Sequence, residues 1–188
     1  SHLLERNEGR SGFKLYEFGD DGMSVEKHSD GFVFTSELDA EDARIVLIDG
    51  HYYITYTDTY ISFGPGRKPR VGFRPALAWT DDFEEYHRIE MTGMPDYTKD
   101  FVLFPQKING EYVALHRPTI PEHLQDSKDF KAFNTEKQSI WIAYSNNLRD
   151  WYRHKMVLAP DKNESKVGAG APPVKTRYGW VSFYHAMR

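Results

Sequence analysis

The sequence predicts an all-β fold built from repeated antiparallel blades, with the period of a β-propeller. Three observations predict it. Segments of one shape recur at 60 to 70 residues, each an apolar stretch, a turn containing Gly and an aromatic-rich alternation. A second motif runs in step with the first, with Asp82 matching Asn147 at an interval of 65. Aromatic residues make up 15% of the chain, which suits β-rich structure and also surfaces that stack on sugar rings.

The elements follow in chain order. KLYEFGDDGMSVEK (14 to 27) is a degenerate early copy of the second motif. RIVLIDGHYYITYT is a hairpin turning at Gly50, FPQKINGEYVALHRP one turning at Gly110, and PPVKTRYGWVSFYH one turning at Gly179. ALAWTDDFEEYHR (76 to 88) and IAYSNNLRDWYRH (142 to 154) are the matched copies of the second motif. IPEHLQDSKDFKAFNTEKQ (120 to 138) is polar and lacks a sustained apolar stripe, so it reads as a long decorated loop with a helical turn at most. The glycines of GAGAPP allow a tight bend, and its prolines stop the ladder. A β-sandwich of the same strands is the alternative architecture.

Composition narrows the function classes. With 188 residues and 39% hydrophobic content the chain can bury a sizeable core. The formal net charge is −4 and no basic run tracks a phosphate backbone, which argues against nucleic acid. No apolar stretch approaches the roughly 18 residues of a membrane span, and SHLLERNEGR lacks the apolar core of a signal peptide. Cysteine is absent, and the 8 histidines show neither HxxxH nor HxH spacing, so no metal site is expected. A GxSxG elbow and a phosphate loop are absent too.

Loops of successive blades gather at one end of a propeller, so polar residues just before the innermost strands are expected to share a pocket. Glu41 and Asp42 lie there, as do Lys99 and Asp100; His116 and Arg117 end a strand, Lys166 precedes a glycine-rich bend, and VSFYH ends on His185. Two readings of Asp42 stay open on the residues alone. It is a general acid held near low-dielectric strand backbone, or with Glu41 it forms a turn-capping pair or partners Arg44. The basic residues are likewise either an anion pocket or solvated surface charges.

AEDARIVLIDGHYYITYT, KDFVLFPQKINGEYVALHRP, IWIAYSNNLRDW and SKVGAGAPPVKTRYGWVSFYH, in that order and at blade spacing, resemble glycoside hydrolase family 130, the β-mannoside phosphorylases and related β-1,2-mannosidases. The resemblance implies a five-bladed β-propeller. Residues 1–188 would form part of that single catalytic domain, roughly three blades of it, with blades expected on both sides. It implies that Asp42 is the general acid, acting through a sugar hydroxyl that relays its proton. It also implies that Arg117, Lys166 and His185 hold phosphate, with Lys99 near another such position. Arg6, Asp42 and Asp100 are the implied sugar contacts. Inorganic phosphate would be the nucleophile and co-substrate, in a single inverting displacement that yields α-mannose 1-phosphate, with no other cofactor and no metal.

The same resemblance covers hydrolases, which need a carboxylate base to activate water. A non-catalytic glycan-binding propeller is the alternative of another class. The expected partners are a β-mannoside and phosphate, with homo-oligomer contacts through the long loops, no nucleic acid and no membrane. A cytoplasmic location is expected, a signal peptide being left open by where the sequence starts. Three positions depart from the family pattern. Ala43 stands in place of a proline, Ala186 in place of a glycine, and Lys99-Asp100 where many phosphorylases have Arg-Asn.

Overall fold

A computed structural model describes residues 2–6, 13–18, 25–29, 39–63, 69–133 and 135–188. Its elements are strands and two single 3-10 turns, Glu122–Leu124 and Lys131–Phe133, both inside the long loop of 120 to 138. Strands β1 (His2–Arg6), β2 (Phe13–Phe18) and β3 (Val25–Ser29) make a three-stranded antiparallel sheet. Two four-stranded meanders follow. The first is β4 (Asp39–Ile48), β5 (His51–Phe63), β6 (Pro69–Thr80) and β7 (His87–Ile89). The second is β8 (Thr98–Leu103), β9 (Tyr112–Pro118), β10 (Ile140–Ser145) and β11 (Trp151–Leu158). Two ribbons close the chain, β12 (Lys166–Ala169) with β15 (Tyr184–Met187), and β13 (Val174–Thr176) with β14 (Gly179–Val181).

The hairpins turn where the glycines predict. Gly50, Gly110 and Gly179 all adopt positive φ, and Asp49 and Asn109 before the first two do as well. Aspartate and asparagine tolerate that region better than other side chains, which is why Asp-Gly and Asn-Gly fix these turns. The second motif is reproduced atom for atom. Asp82 Oδ1 accepts the amides of Glu84 and Glu85 and the Thr80 hydroxyl. Asn147 Oδ1 accepts those of Arg149 and Asp150 and the Ser145 hydroxyl. The next residues, Phe83 and Leu148, both sit at φ 64, buried in cores on equivalent loops.

The sheets pack face to face, and none curls into a closed barrel among the described residues. Alternation assigns each strand residue to one of two cores. Phe101 and Leu103 of β8 face the first meander, with Val46, Ile48, Leu77 and Trp151, whereas Val102 and Phe104 face β12, with Val113, Leu115, Val167 and Ala169. The run FVLF is therefore apolar throughout because both of its faces are buried. Thr92, in the segment between the two meanders, pairs with Asp150 in an isolated parallel bridge, and within the second meander the Trp151 ring stands edge-on to Phe101 at 5.3 Å. No helix among the described residues is long and apolar enough to cross a membrane.

Candidate active site

Two bulges build the site. On β4 the register passes from Glu41↔Thr57 to Arg44↔Thr55, three residues against two, so one residue is extra at Asp42-Ala43. On β8 it passes from Lys99↔Arg117 to Val102↔Leu115, the same mismatch at Asp100-Phe101. Both aspartates take left-handed backbone, φ 56 at Asp42 and φ 51 at Asp100. An extra residue flips the alternation, so Ala40 faces one core while Val46 and Ile48, also even-numbered, face the other. The candidate residues thus sit inside the innermost strands rather than just before them. A bulge lets a polar residue leave the apolar ladder without ending the strand.

The two aspartates have opposite surroundings. Asp42 is exposed, not held against strand backbone, and its carboxylate has no partner among the described residues. Asp100 is 3% exposed. Its Oδ2 accepts from Arg117 Nε at 2.7 Å and lies 3.5 Å from His185 Nε2, and its Oδ1 accepts from Arg44 Nη2 at 3.5 Å. Arg117 is buried as well, and its Nη1 donates to Gln138 Oε1 and to Thr119 Oγ1. The remaining acid of the group, Glu41, accepts from Lys99 Nζ at 2.9 Å.

β12 brings the last members in. Gly168 pairs with His185 across the β12–β15 ribbon, and a Cβ on Gly168 would stand 2.0 Å from Asp100 Oδ2 and 2.6 Å from His185 Nε2. Its glycine is required for close approach of these groups, not for the bend the GAGAPP run suggests. Lys166, two residues earlier, shares that strand face. It is half-buried, pairs in a parallel bridge with Gln138, and forms no ion pair among the described residues. Lys99, Asp100, Arg117 and His185 are thus within one chain of contacts, with Asp42 two residues from Arg44 and Lys166 one bridge from Gln138. The ninth-strand neighbour His116 faces away. It is fully buried, its Nε2 3.0 Å from His154 Nδ1, with the Phe133 ring covering both imidazoles. Arg6 ends β1, and its side chain lies outside the described residues.

Arg44 is the residue that sequence reasoning missed. Its Nη1 donates to the Asp42 carbonyl at 2.6 Å, its Nε to Gly170 O at 3.0 Å and its Nη2 to Ala169 O at 3.2 Å. The signal was present in the spacing. Glu41-Asp42 and Lys99-Asp100 stand 58 residues apart, close to the 60 between Gly50 and Gly110, which marks the two bulges as copies and Arg44 as the side chain just past the first.

Two four-stranded meanders with matching bulges on their first strands, and an acid and a set of cations gathered about those bulges, β9 and the β12–β15 ribbon, define the class as a propeller-type, blade-built β domain. The chain belongs to glycoside hydrolase family 130, whose model, described as beta-1,4-mannooligosaccharide phosphorylase, matches residues 23–188. It is 38% identical over 149 residues to a 1,2-beta-oligomannan phosphorylase of Thermoanaerobacter sp. strain X514, covering 78% of this chain and 42% of that one. It is 30% identical over 182 residues to a Beta-1,4-mannooligosaccharide phosphorylase of Ruminococcus albus, covering 90% of this chain and 48% of that protein. Among solved structures, Beta-1,2-Mannobiose phosphorylase from Listeria innocua in complex with beta-1,2-mannobiose superposes with a TM-score of 0.72 at 27% identity, covering 94% of this chain and 46% of that one. The chain spans about half the length of the curated relatives it matches.

Proposed function

We propose that this chain carries the acid and the anion pocket of an enzyme that transfers a β-mannosyl group to inorganic phosphate. The products are α-mannose 1-phosphate and a sugar shorter by one unit. One observation supports phosphate over water as the nucleophile. An inverting hydrolase needs a free carboxylate opposite its acid, set back by roughly 6.5–9.5 Å to admit water. Here the two other carboxylates of the site are both engaged, Asp100 by Arg117 and Glu41 by Lys99. Counted alike, the four cations Arg44, Lys99, Arg117 and Lys166 exceed the three carboxylates Glu41, Asp42 and Asp100, a balance that favours an anionic nucleophile.

The roles follow from that balance. Asp42 delivers a proton toward the leaving oxygen, being the one site carboxylate without an ion-pair partner among the described residues. Arg117 has its Nε on Asp100 and its Nη1 on Gln138 and Thr119, so it contributes Nη2 and its positive charge toward phosphate; Lys166, without an ion pair among the described residues, supplies an ammonium, Lys99 adds charge while paired with Glu41, and His185 faces the same Asp100 oxygen. Attack of a phosphate oxygen on the anomeric carbon breaks the glycosidic bond, and the bond's electron pair leaves on the oxygen that takes the proton. Asp100 acts by neutralising and orienting the cations, so the Lys99-Asp100 departure does not set a bare negative charge against phosphate.

The relatives named above include phosphorylases of both β-1,2 and β-1,4 mannosides, and either linkage fits the reading. The test is the dependence of turnover on phosphate concentration with β-1,2-mannobiose and β-1,4-mannosylglucose as donors. Saturable dependence on phosphate supports the reading, and turnover independent of phosphate sinks it in favour of hydrolysis.

A further inference from the structure

Arg44 touches three separate segments with one planar group: the bulge of β4 through the Asp42 carbonyl, β12 through Ala169 O and Gly170 O, and β8 through Asp100 Oδ1. The guanidinium is held from several sides, and its side chain is only 16% exposed. What it holds in return is the peptide of Asp42. That residue stands at φ 56, a conformation a non-glycine residue adopts at a cost of about 1 kcal/mol or more, which persists only where the surroundings fix it. The Asp42 carboxylate has no partner among the described residues, so the backbone, which sets where its Cβ points, is the restraint on where the acid can reach. Asp100 shows the contrast. It has the same bulge and nearly the same φ, yet its own carboxylate is tied to Arg117.

We infer that Arg44 is a positioning residue for Asp42, which aims the acid by gripping its carbonyl and anchoring that grip on β12 and Asp100. The inference rests on the reading of Asp42 as the acid. It makes Arg44 act by geometry: a lysine, with one ammonium, cannot reach the Asp42 carbonyl, Ala169 O and Gly170 O at once. It also couples the two halves of the site, because Asp100 receives Arg44 on one oxygen and Arg117 on the other.

The test uses Arg44→Lys and Arg44→Gln in the full-length protein with two donors. One is β-mannobiose, whose leaving alkoxide needs a proton. The other is an aryl β-mannoside whose phenolate departs without one. Both variants are expected to lose about 10- to 100-fold in kcat on mannobiose, the scale of a misplacement near 1 Å, with KM for phosphate and turnover of the aryl mannoside changed less than about 3-fold. An equal loss on both donors, or a raised phosphate KM that lysine restores, overturns the proposal and makes Arg44 a pocket charge. A second readout needs no turnover. In protein labelled with ¹³C-aspartate, the Asp42 Cα shift distinguishes left-handed from extended backbone. It is expected to move in both variants while that of Asp100 holds, and an unmoved Asp42 overturns the proposal. Unaltered protein that cleaves no mannoside would instead overturn the phosphorylase reading, and the Asp42 shift would still decide the role of Arg44.

Discussion

Arg117 Nε and Asp100 Oδ2 are 2.7 Å apart with both side chains almost wholly buried, 6% and 4% exposed. An ion pair so far from water is held by mutual dependence. Removing Arg117 leaves buried Asp100 with only the 3.5 Å contacts to Arg44 and His185, at a cost of up to about 3–5 kcal/mol, whereas removing both charges leaves less to compensate. Arg117→Ala is therefore expected to lower stability by about that amount in urea unfolding, and Asp100→Asn added to it to recover a large part. Additive losses in the double variant would show that the pair is not coupled.

Gly168→Ala tests the close approach on which the cation cluster depends. The added methyl meets the buried Asp100 carboxylate and the His185 ring, so relief requires Asp100 to shift against Arg117 or His185 to swing away from Asp100. Overpacking of this kind costs about 1–3 kcal/mol. The variant is expected to unfold at lower urea and to raise KM for phosphate. Unchanged phosphate dependence would separate Gly168 from the pocket.

Asp42→Asn should spare the fold. The side chain is exposed, and asparagine tolerates left-handed backbone as aspartate does. Loss of the acid is expected to lower kcat on mannobiose by about 10²- to 10⁴-fold with the unfolding midpoint unmoved. Activity at the unaltered level would remove Asp42 from the acid role.

The imidazole pair behind the pocket predicts a pH dependence of stability. Burial, and then the neighbouring His154, pushes His116 well below its ordinary value of 6.5, and burial lowers His154 as well. Between the folded value and 6.5 the unfolded chain binds protons that the folded one refuses, so stability falls as pH drops through that window. The melting temperature is expected to decrease from pH 7.5 to pH 5.5, with a shallower slope in His116→Gln. Equal slopes in the two proteins would mean that other groups set the acid limb.

Much of this architecture is legible in the residues because it is written in local chemistry. Asp-Gly and Asn-Gly state the hairpins, and the Asp82 and Asn147 loops repeat one hydrogen-bond pattern that side-chain identity alone encodes. The bulges are a different case. Ala40, Asp42 and Val46 look like one alternation, and the extra residue appears only when pairing with β5 is known. Arg44 has a signal in the 58-residue spacing of Glu41-Asp42 and Lys99-Asp100, but its contacts are not legible in the residues. Beside two acids it reads as their partner, yet in the structure its donors go to main-chain carbonyls of β4 and of β12, 126 residues away at Gly170. Lys99 reads as standing near a phosphate-binding position, and its pairing with Glu41 comes from the packing of two blades, which the residues alone do not state.

The most direct measurement follows inorganic phosphate by ³¹P NMR while the full-length protein consumes β-1,2-mannobiose. α-Mannose 1-phosphate is expected to appear in step with released mannose, one for one. Mannobiose consumed to mannose alone, with the phosphate signal unchanged, would contradict it.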